Sequence, residues 1–459
     1  MSSIPHNTEN KNEIFDSAAK FFKEFHIGKL LFQCNAGKMK GIPVMEIFRY
    51  LFCLVFSGRS MYMQRKTGVF HDGFCKNTVY RFLNNTKTNW QRFTTLLSTR
   101  IINGFMKPLT ADGRKDVFII DDSLYDRSRS CKTELLAKVF DHCSMKYKRG
   151  YRMLTLGWSD GNSFIPVNHC LLSAADDKNL LCEASSHDGR SLAGKRRQQS
   201  RRKATEVMLE LIRMAQQAGL SAKYVLFDSW FSSPKVVAAL KQEHGLDTVA
   251  MVKKSSKIKY GYRDGRFNIR EIYSKNRKRR GRSKYLLSVN VTIGEAGIPA
   301  KIVCVRNKSR KKDWLAILST DTSLSEEEII RIYGKRWDIE VFFKTCKSCL
   351  KLVKECRSTS YDALNAHTAI VFTRYMMLSV AWRRNTDDRT LCELFYYLMD
   401  ELDDITFSQS MRILMEALMD SVMEYFYITE QELEEFTDSF IQRLPQYVRE
   451  ALGYSKSVA

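Results

Sequence analysis

The chain has no apolar run able to cross a bilayer. Its longest apolar stretches, around 47–56 and 376–382, are short or broken by charge, whereas a spanning helix needs about 20 apolar residues. The first eleven residues are polar and lack the apolar centre of a secretory signal. Twelve cysteines are present without paired or repeated spacing, which argues against a disulfide framework and for reduced thiols. Cys346-x2-Cys349 has no second pair nearby, and structural zinc takes four ligands. No internal repeat is found, and compositional bias is confined to Lys275–Arg282. These absences exclude membrane-spanning, disulfide-stapled and solenoid proteins and predict a soluble cytoplasmic one.

Acidic residues are scarce in most of the chain. The 459 residues carry 74 Lys and Arg against 51 Asp and Glu, a net charge of +23. From Asp387 onward there are 16 acids and 5 bases, which leaves 69 bases and 35 acids before it. So basic a body points to a polyanion, with nucleic acid the default. The acidic end reads as a separate helical unit suited to meeting a partner subunit.

Residues 1–110 read as helical. Val44–Phe56 has apolar residues at helical spacing, and the run Asn77–Leu83 opens on good capping residues. Lys76, Arg81, Lys87 and Arg92 are interleaved there with Tyr80, Phe82 and Trp90, which fits either a DNA-reading helix or an ordinary packed one. From Asp116 the period changes. Val117–Ile120 is continuously apolar, as in a strand buried on both faces, and it ends in Asp121-Asp122-Ser123. Two strands flank the turn Ser159–Asn162, a helix spans Ala204–Ala218, and Tyr224–Phe227 is another buried strand ending in Asp228. A helix from Pro234 and a strand at Thr248–Val252 follow. Lys253–Lys284 then holds 14 bases against two acids, and Tyr285–Val305 is rich in β-branched residues, which predicts a β insertion with a basic face. Trp314–Leu318 reads as a strand, and Ser325-x2-Glu328 as a capping box opening a long helix to Leu350. Everything beyond Ser360 reads as helical. The segment Ser191–Lys203, with six Lys and Arg, reads as a mobile polar stretch that lies along a DNA backbone.

That long helix carries the spacing Y-x2-R-x3-E-x6-K in Tyr333, Arg336, Glu340 and Lys347. At about 100° per residue, with Tyr333 at zero, these fall within about 60° of one another, and Lys344 near 20° shares the side. A carboxylate between cations on one helix face suits metal-dependent phosphoryl transfer, with the acid on the ion and the bases on flanking phosphates. Asp121 and Asp228, each at the end of a buried strand, supply two more carboxylates where α/β sheets assemble their sites. Hard oxygen ligands of this kind attract Mg²⁺ or Mn²⁺. Asp122 competes with Asp121 for the first place, but neighbours on a strand point to opposite faces, so one of the two faces the metals.

The order of strand, hairpin, strand, helix and strand, with Asp on the first and fourth strands and Glu on a later helix, resembles the ribonuclease-H-like core of DDE transposases. The Tyr333–Lys347 signature resembles the insertion-sequence-four family of bacterial transposases, and the resemblance covers roughly residues 115–360. It implies an α/β fold in which a ribonuclease-H-like core, 111–252 and 314–360, is interrupted by a β-rich basic insertion at 253–313. A helical N-terminal DNA-binding region, 1–110, and a helical C-terminal region, 361–459, that dimerises complete the expected organisation. It further implies that Asp121, Asp228 and Glu340 are catalytic and hold two Mg²⁺ ions, with Mn²⁺ as a substitute. Tyr333, Arg336, Lys344 and Lys347 contact DNA, and Trp314 stacks on a flipped base, although a core Trp fits that position equally. The implied function is cut-and-paste transposition of an insertion sequence through hydrolysis, hairpin formation and strand transfer. The implied partners are double-stranded DNA, as element ends and target, and a second copy of the chain, in a cytoplasmic, nucleoid-associated setting. A nuclease on the same core that cuts without joining, and a catalytically silent DNA-binding protein, remain as alternatives.

Overall fold

The structure, a computed structural model, describes residues 9–384 except 39, 59, 68–72, 112, 142–143, 281–282 and 308–312, together with 430–444 and 449. Its centre is one mixed sheet, eleven-stranded among the described residues. The first strands are β1 (Val117–Asp126), β2 (Ala137–Asp141), β3 (Lys146–Ser159), β4 (Phe164–Leu172), β5 (Tyr224–Phe227) and β6 (Asp247–Met251). β3 lies between β1 and β4 and runs antiparallel to both, while β5 runs parallel to β1 and β6. The resulting order β4-β3-β1-β5-β6 is consistent with a ribonuclease-H-like fold. β1 and β5 owe their place to unbroken apolar runs, buried throughout at Val117–Ile120 and Tyr224–Phe227, and β4 is buried along its whole length although it includes Asn168 and His169.

The basic, β-rich segment does not form a sheet of its own. Its strands β7 (Tyr260–Tyr262), β8 (Gly265–Phe267), β9 (Leu287–Ile293) and β10 (Ile298–Arg306) continue the central sheet. They join it through β11 (Trp314–Ser319), which pairs with β6 on one side and β10 on the other. Alternating burial along β9 fits a ladder with one wet face.

Among the described residues six α-helices precede the sheet, α1 (Glu9–Glu24), α2 (Ile27–Gln33), α3 (Val44–Cys53), α4 (Met61–Lys66), α5 (Lys76–Leu83) and α6 (Trp90–Ile101). Phe82 and Trp90 are buried and meet edge to face at 5.7 Å, so these two rings serve packing, whereas Tyr80 is exposed. Within the sheet region lie α7 (Leu192–Ser200), α8 (Ala204–Gln217), α9 (Pro234–Gln242) and α10 (Ile269–Lys275). They are followed by α11 (Glu326–Gly334), α12 (Trp337–Ser348) and α13 (Tyr361–Arg384). α13 is buried along Tyr361–Val380 and packs on α3, α5, α6 and β4. One apolar core therefore runs from the N-terminal helices through the sheet. Inside it Arg374 donates to the carbonyls of Leu51 and Phe52 and pairs with Glu355 at 2.7 Å. Glu355 also meets His367 at 2.9 Å, and its carboxyl is held down at about 2 despite burial, chiefly by the Arg374 charge and the His367 bond.

Three expectations need correction. Residues 191–203 are not a mobile polar stretch. Ser191 caps α7 by accepting the Gly194 N–H, and Arg196 and Arg197 are buried. Arg197 reaches Glu134 at 2.6 Å and Asp362 at 2.8 Å, and Arg196 pairs with Asp362; acids from distant sequence neutralise these two bases of the run. The helix from Ser325 is broken at Lys335–Arg336. Their N–H groups bond to the carbonyls three residues back, Ile332 and Tyr333, tightening the turn. Finally, β1 does not stop at Ile120, because β3 keeps pairing with it as far as Asp126↔Gly150. Asp121 is thus mid-strand. The acidic region expected to be helical and to dimerise lies mostly outside the described residues, which include only its helix α14 (Glu430–Arg443). No helix among the described residues is long and apolar enough to cross a membrane.

Candidate active site

Parallel pairing of β1 and β5 brings the first two carboxylates together. Ile119 pairs with Leu226 in the last rung. Asp121 and Asp228 each lie two residues further on, and a step of two keeps the same side of the sheet. β5 ends at Phe227, and Asp228 closes the turn behind it by accepting the Trp230 N–H at 2.8 Å. Asp121 accepts the Asp122 N–H at 2.8 Å.

α12 is seated against these strands by bonds at its start. Asp338 accepts from Ser159 Oγ at 2.6 Å, and Lys335 Nζ donates to the carbonyls of Asp160 and Lys115. Gly161, at φ +87°, turns the hairpin directly beneath Lys335, and an added Cβ would lie 2.8 Å from Lys335 Cε. The signature side chains then face β1. Arg336 donates to Asp121 Oδ2 at 3.2 Å and to Glu340 Oε1, and its guanidinium lies 5.9 Å from the Tyr333 ring centre. Lys347 Nζ donates to Ser123 Oγ at 2.6 Å. Lys344 is exposed on the neighbouring turn.

The electrostatics show how crowded the acids are. Burial lifts the Asp121 carboxyl from 3.8 to about 7, helped by the charges of Asp122 and Asp228 and opposed by Arg336. Asp228 is raised as well, by burial and then by Asp122, against the Trp230 N–H and Arg336. Tyr333 is pushed up to about 12 by burial. The geometry therefore brings Asp121 and Asp228 within electrostatic reach and links Glu340 to Asp121 through Arg336. Among the described residues no three acidic, His or Cys side chains form a ready metal-holding cluster. Arg336 takes the bridging place between Asp121 and Glu340.

Asp122 faces elsewhere. Arg152, on the same side of the sheet and diagonal to it, holds its carboxylate, and the Arg152 guanidinium lies 5.1 Å from the Trp230 ring centre. Sequence reasoning missed Arg152, Trp230 and the Ser123–Lys347 bond; the one available signal was a Trp two residues after a strand-end Asp. Trp314 already has partners: its ring stacks on Tyr273 at 4.1 Å and 12°, and Lys254 Nζ lies 4.1 Å from its centre. In the basic stretch, Lys278 and Arg279 lie over Tyr273 and Tyr285 at 4.7 and 4.2 Å, while Arg277 and Arg280 are exposed.

The sequence model of one protein family, described as DDE superfamily endonuclease, matches residues 50–311, more than half of the chain. The matched span contains Asp121 and Asp228 and ends before Glu340. A comparison with curated proteins finds no match.

Proposed function

Since this chain belongs to the DDE superfamily endonuclease family, we propose that it is a DNA transposase that cuts the ends of an element and joins them to target DNA. Nucleases of this superfamily depend on divalent metal and act on DNA. The observation that carries the finer reading is the placing of Asp121 and Asp228 at equal register past the last paired rung of β1 and β5, opposite the Arg336 and Glu340 face of α12.

The donor set fits a hard divalent cation. Burial, with the charges of Asp122 and Asp228 added to it, pushes the Asp121 carboxyl up to about 7, and all-oxygen ligands suit Mg²⁺ or Mn²⁺. Asp121, Asp228 and Glu340 are the residues to hold it, and the bound ion supplies the Lewis acidity and lowered water pKa that hydrolysis at phosphorus needs. The chain's own groups do the rest. Arg336 neutralises Asp121 and Glu340 in the resting protein, and its fork is suited to a phosphate beside the scissile bond. Lys347, steadied by Ser123, holds a second phosphate, and Tyr333 fixes the plane against which Arg336 lies. Each step of cutting, hairpin closure and joining is an in-line displacement at phosphorus, so one site serves all of them. Lys344 and the exposed bases of 275–280 extend the phosphate-binding face. A dimer bridging two DNA ends belongs to the same reading.

The test is Mg²⁺-dependent cleavage of labelled duplexes carrying the DNA that flanks the gene, with Glu340→Gln alongside. Nicking followed by joined products in the parent, and bound but uncut DNA in the variant, is the expected result. Cutting without joining would reduce the assignment to a nuclease, and equal cleavage by both proteins would remove Glu340 from the site.

A further inference from the structure

The tightened turn that aims Arg336 at the carboxylates sends its neighbour the other way. Arg336 reaches Asp121, whereas Lys335 reaches the carbonyls of Lys115, ahead of β1, and Asp160, between β3 and β4. Lys335 lines a pocket of about 390 Å³, together with Arg114, Lys115, Asp160, Arg331 and Asp338. Lys115 stands six residues before Asp121, which at about 3.3 Å per residue puts the pocket about 20 Å from the acids along the strand. It is a separate site from the carboxylates.

The charges of this pocket do not cancel. Its cations are Arg114, Lys115, Arg331 and Lys335, and both of its acids are committed elsewhere. Asp160 is buried and accepts from Thr110 Oγ1, from the N–H groups of Asn162 and Ser163, and from Arg383 at 2.8 Å. Asp338 accepts from Ser159. Lys115 pairs with Glu328 at 3.2 Å, but Arg114 and Arg331 are exposed and have no carboxylate partner among the described residues. Lys335 uses two of its three ammonium protons on carbonyls, which carry no full charge. Burial pulls that ammonium down, and the Arg331 charge adds to the pull against Asp160. The pocket is short of negative charge.

Two guanidinium forks and an ammonium around an open hollow match an oxyanion with several acceptor oxygens, and phosphate is the one that DNA presents. We propose that this pocket holds a backbone phosphate of the duplex that lies at Asp121 and Asp228. At about 3.4 Å of axis per nucleotide, that phosphate is about six nucleotides from the cut bond. The proposal rests on the reading of the chain as a DNA-cutting enzyme. Lys335 and Arg336 then act as a gauge, because fixing two phosphates at a set separation fixes which bond meets the carboxylates.

The experiment measures binding of the full chain, in EDTA, to a fluorescent duplex spanning the cut that the parent makes in Mg²⁺. Replacing both Arg114→Gln and Arg331→Gln should lower the salt slope by about 0.9, and replacing both with Lys should restore most of it. Both variants should melt with the parent, because the two side chains are exposed. The deciding arm moves one neutral methylphosphonate along each strand. In the parent, a position about six nucleotides from the cut should lose about tenfold in affinity. In the Gln variant the same position should lose less than about twofold, while every other position affects the two proteins alike. Equal losses at every position, or an unchanged salt slope, overturns the pocket while parent cleavage stands. A melting temperature raised by millimolar inorganic phosphate in the parent alone, with the duplex slope unchanged, overturns the backbone assignment in favour of a free anion. A parent that binds and cuts no duplex overturns the transposase reading together with it.

Discussion

Replacing Asp121 with Asn should make the metal-free protein more stable at pH 8. Burial first, then Asp122 and Asp228, lift the Asp121 carboxyl from 3.8 to about 7, and the rise survives the opposing pull of Arg336. At 1.36 kcal/mol per pH unit, holding this charge in the folded chain costs up to about 4 kcal/mol relative to the unfolded one. The folded chain keeps the proton up to about pH 7, whereas the unfolded chain releases it near 3.8. Stability of the parent therefore falls as pH rises between those values and is level above them. Asn has no proton to lose, so its advantage is absent near pH 4, about half developed near pH 5.5 and complete at pH 8. A chain of 459 residues unfolding as one unit shifts by about 1 °C per kcal/mol. Thermal melts by intrinsic fluorescence should accordingly show the variant about 2–4 °C above the parent at pH 8. Millimolar Mg²⁺ should narrow or reverse the gap by raising the parent alone. A variant that melts lower at pH 8, or by the same margin at pH 5.5 and pH 8, would refute the crowding of carboxylates on which the metal assignment stands.

Arg374→Met should cost about 3–5 kcal/mol, because it strands Glu355 as an uncompensated charge inside the core; chemical denaturation would measure it, and a loss below about 1 kcal/mol would contradict the buried pair. The same carboxyl, held at about 2 against an ordinary 4.5, contributes stability above pH 4.5 that disappears as pH falls towards 2, visible as a steep acid limb absent from Arg374→Met. Lys347→Met should reduce the salt slope of duplex binding by about 0.9 and slow cleavage with little change in melting temperature; an unchanged slope would confine Lys347 to its bond with Ser123.

Much of the candidate site's geometry is legible in the sequence, because it is built from local patterns. Apolar runs marked β1 and β5, the Asp at each run's end followed from where the run stopped, and helical spacing put Arg336, Glu340 and Lys347 towards one side even though the helix breaks at Lys335. What escaped depends on partners far away in the chain. Arg196 and Arg197 look solvated until Glu134 and Asp362, 63 and 165 residues from Arg197, are brought against them. Trp314 opens a strand and looks available, but Tyr273 from α10 covers it. β2 is five residues long with a charged residue on its wet side, too little for a period to show. Asp122 looked like an ambiguity of the motif; Arg152 on the adjoining strand gives it a separate environment.

The central claim is that Asp121, Asp228 and Glu340 bind the metal that cuts DNA, and Asp228→Cys tests it most directly. A thiolate is a poor ligand for Mg²⁺ and a better one for Mn²⁺. The variant should bind DNA normally, fail to cleave in Mg²⁺ and regain cleavage in Mn²⁺ relative to the parent in the same metal. Cleavage retained in Mg²⁺, or lost equally in both metals while DNA binding persists, would contradict the account.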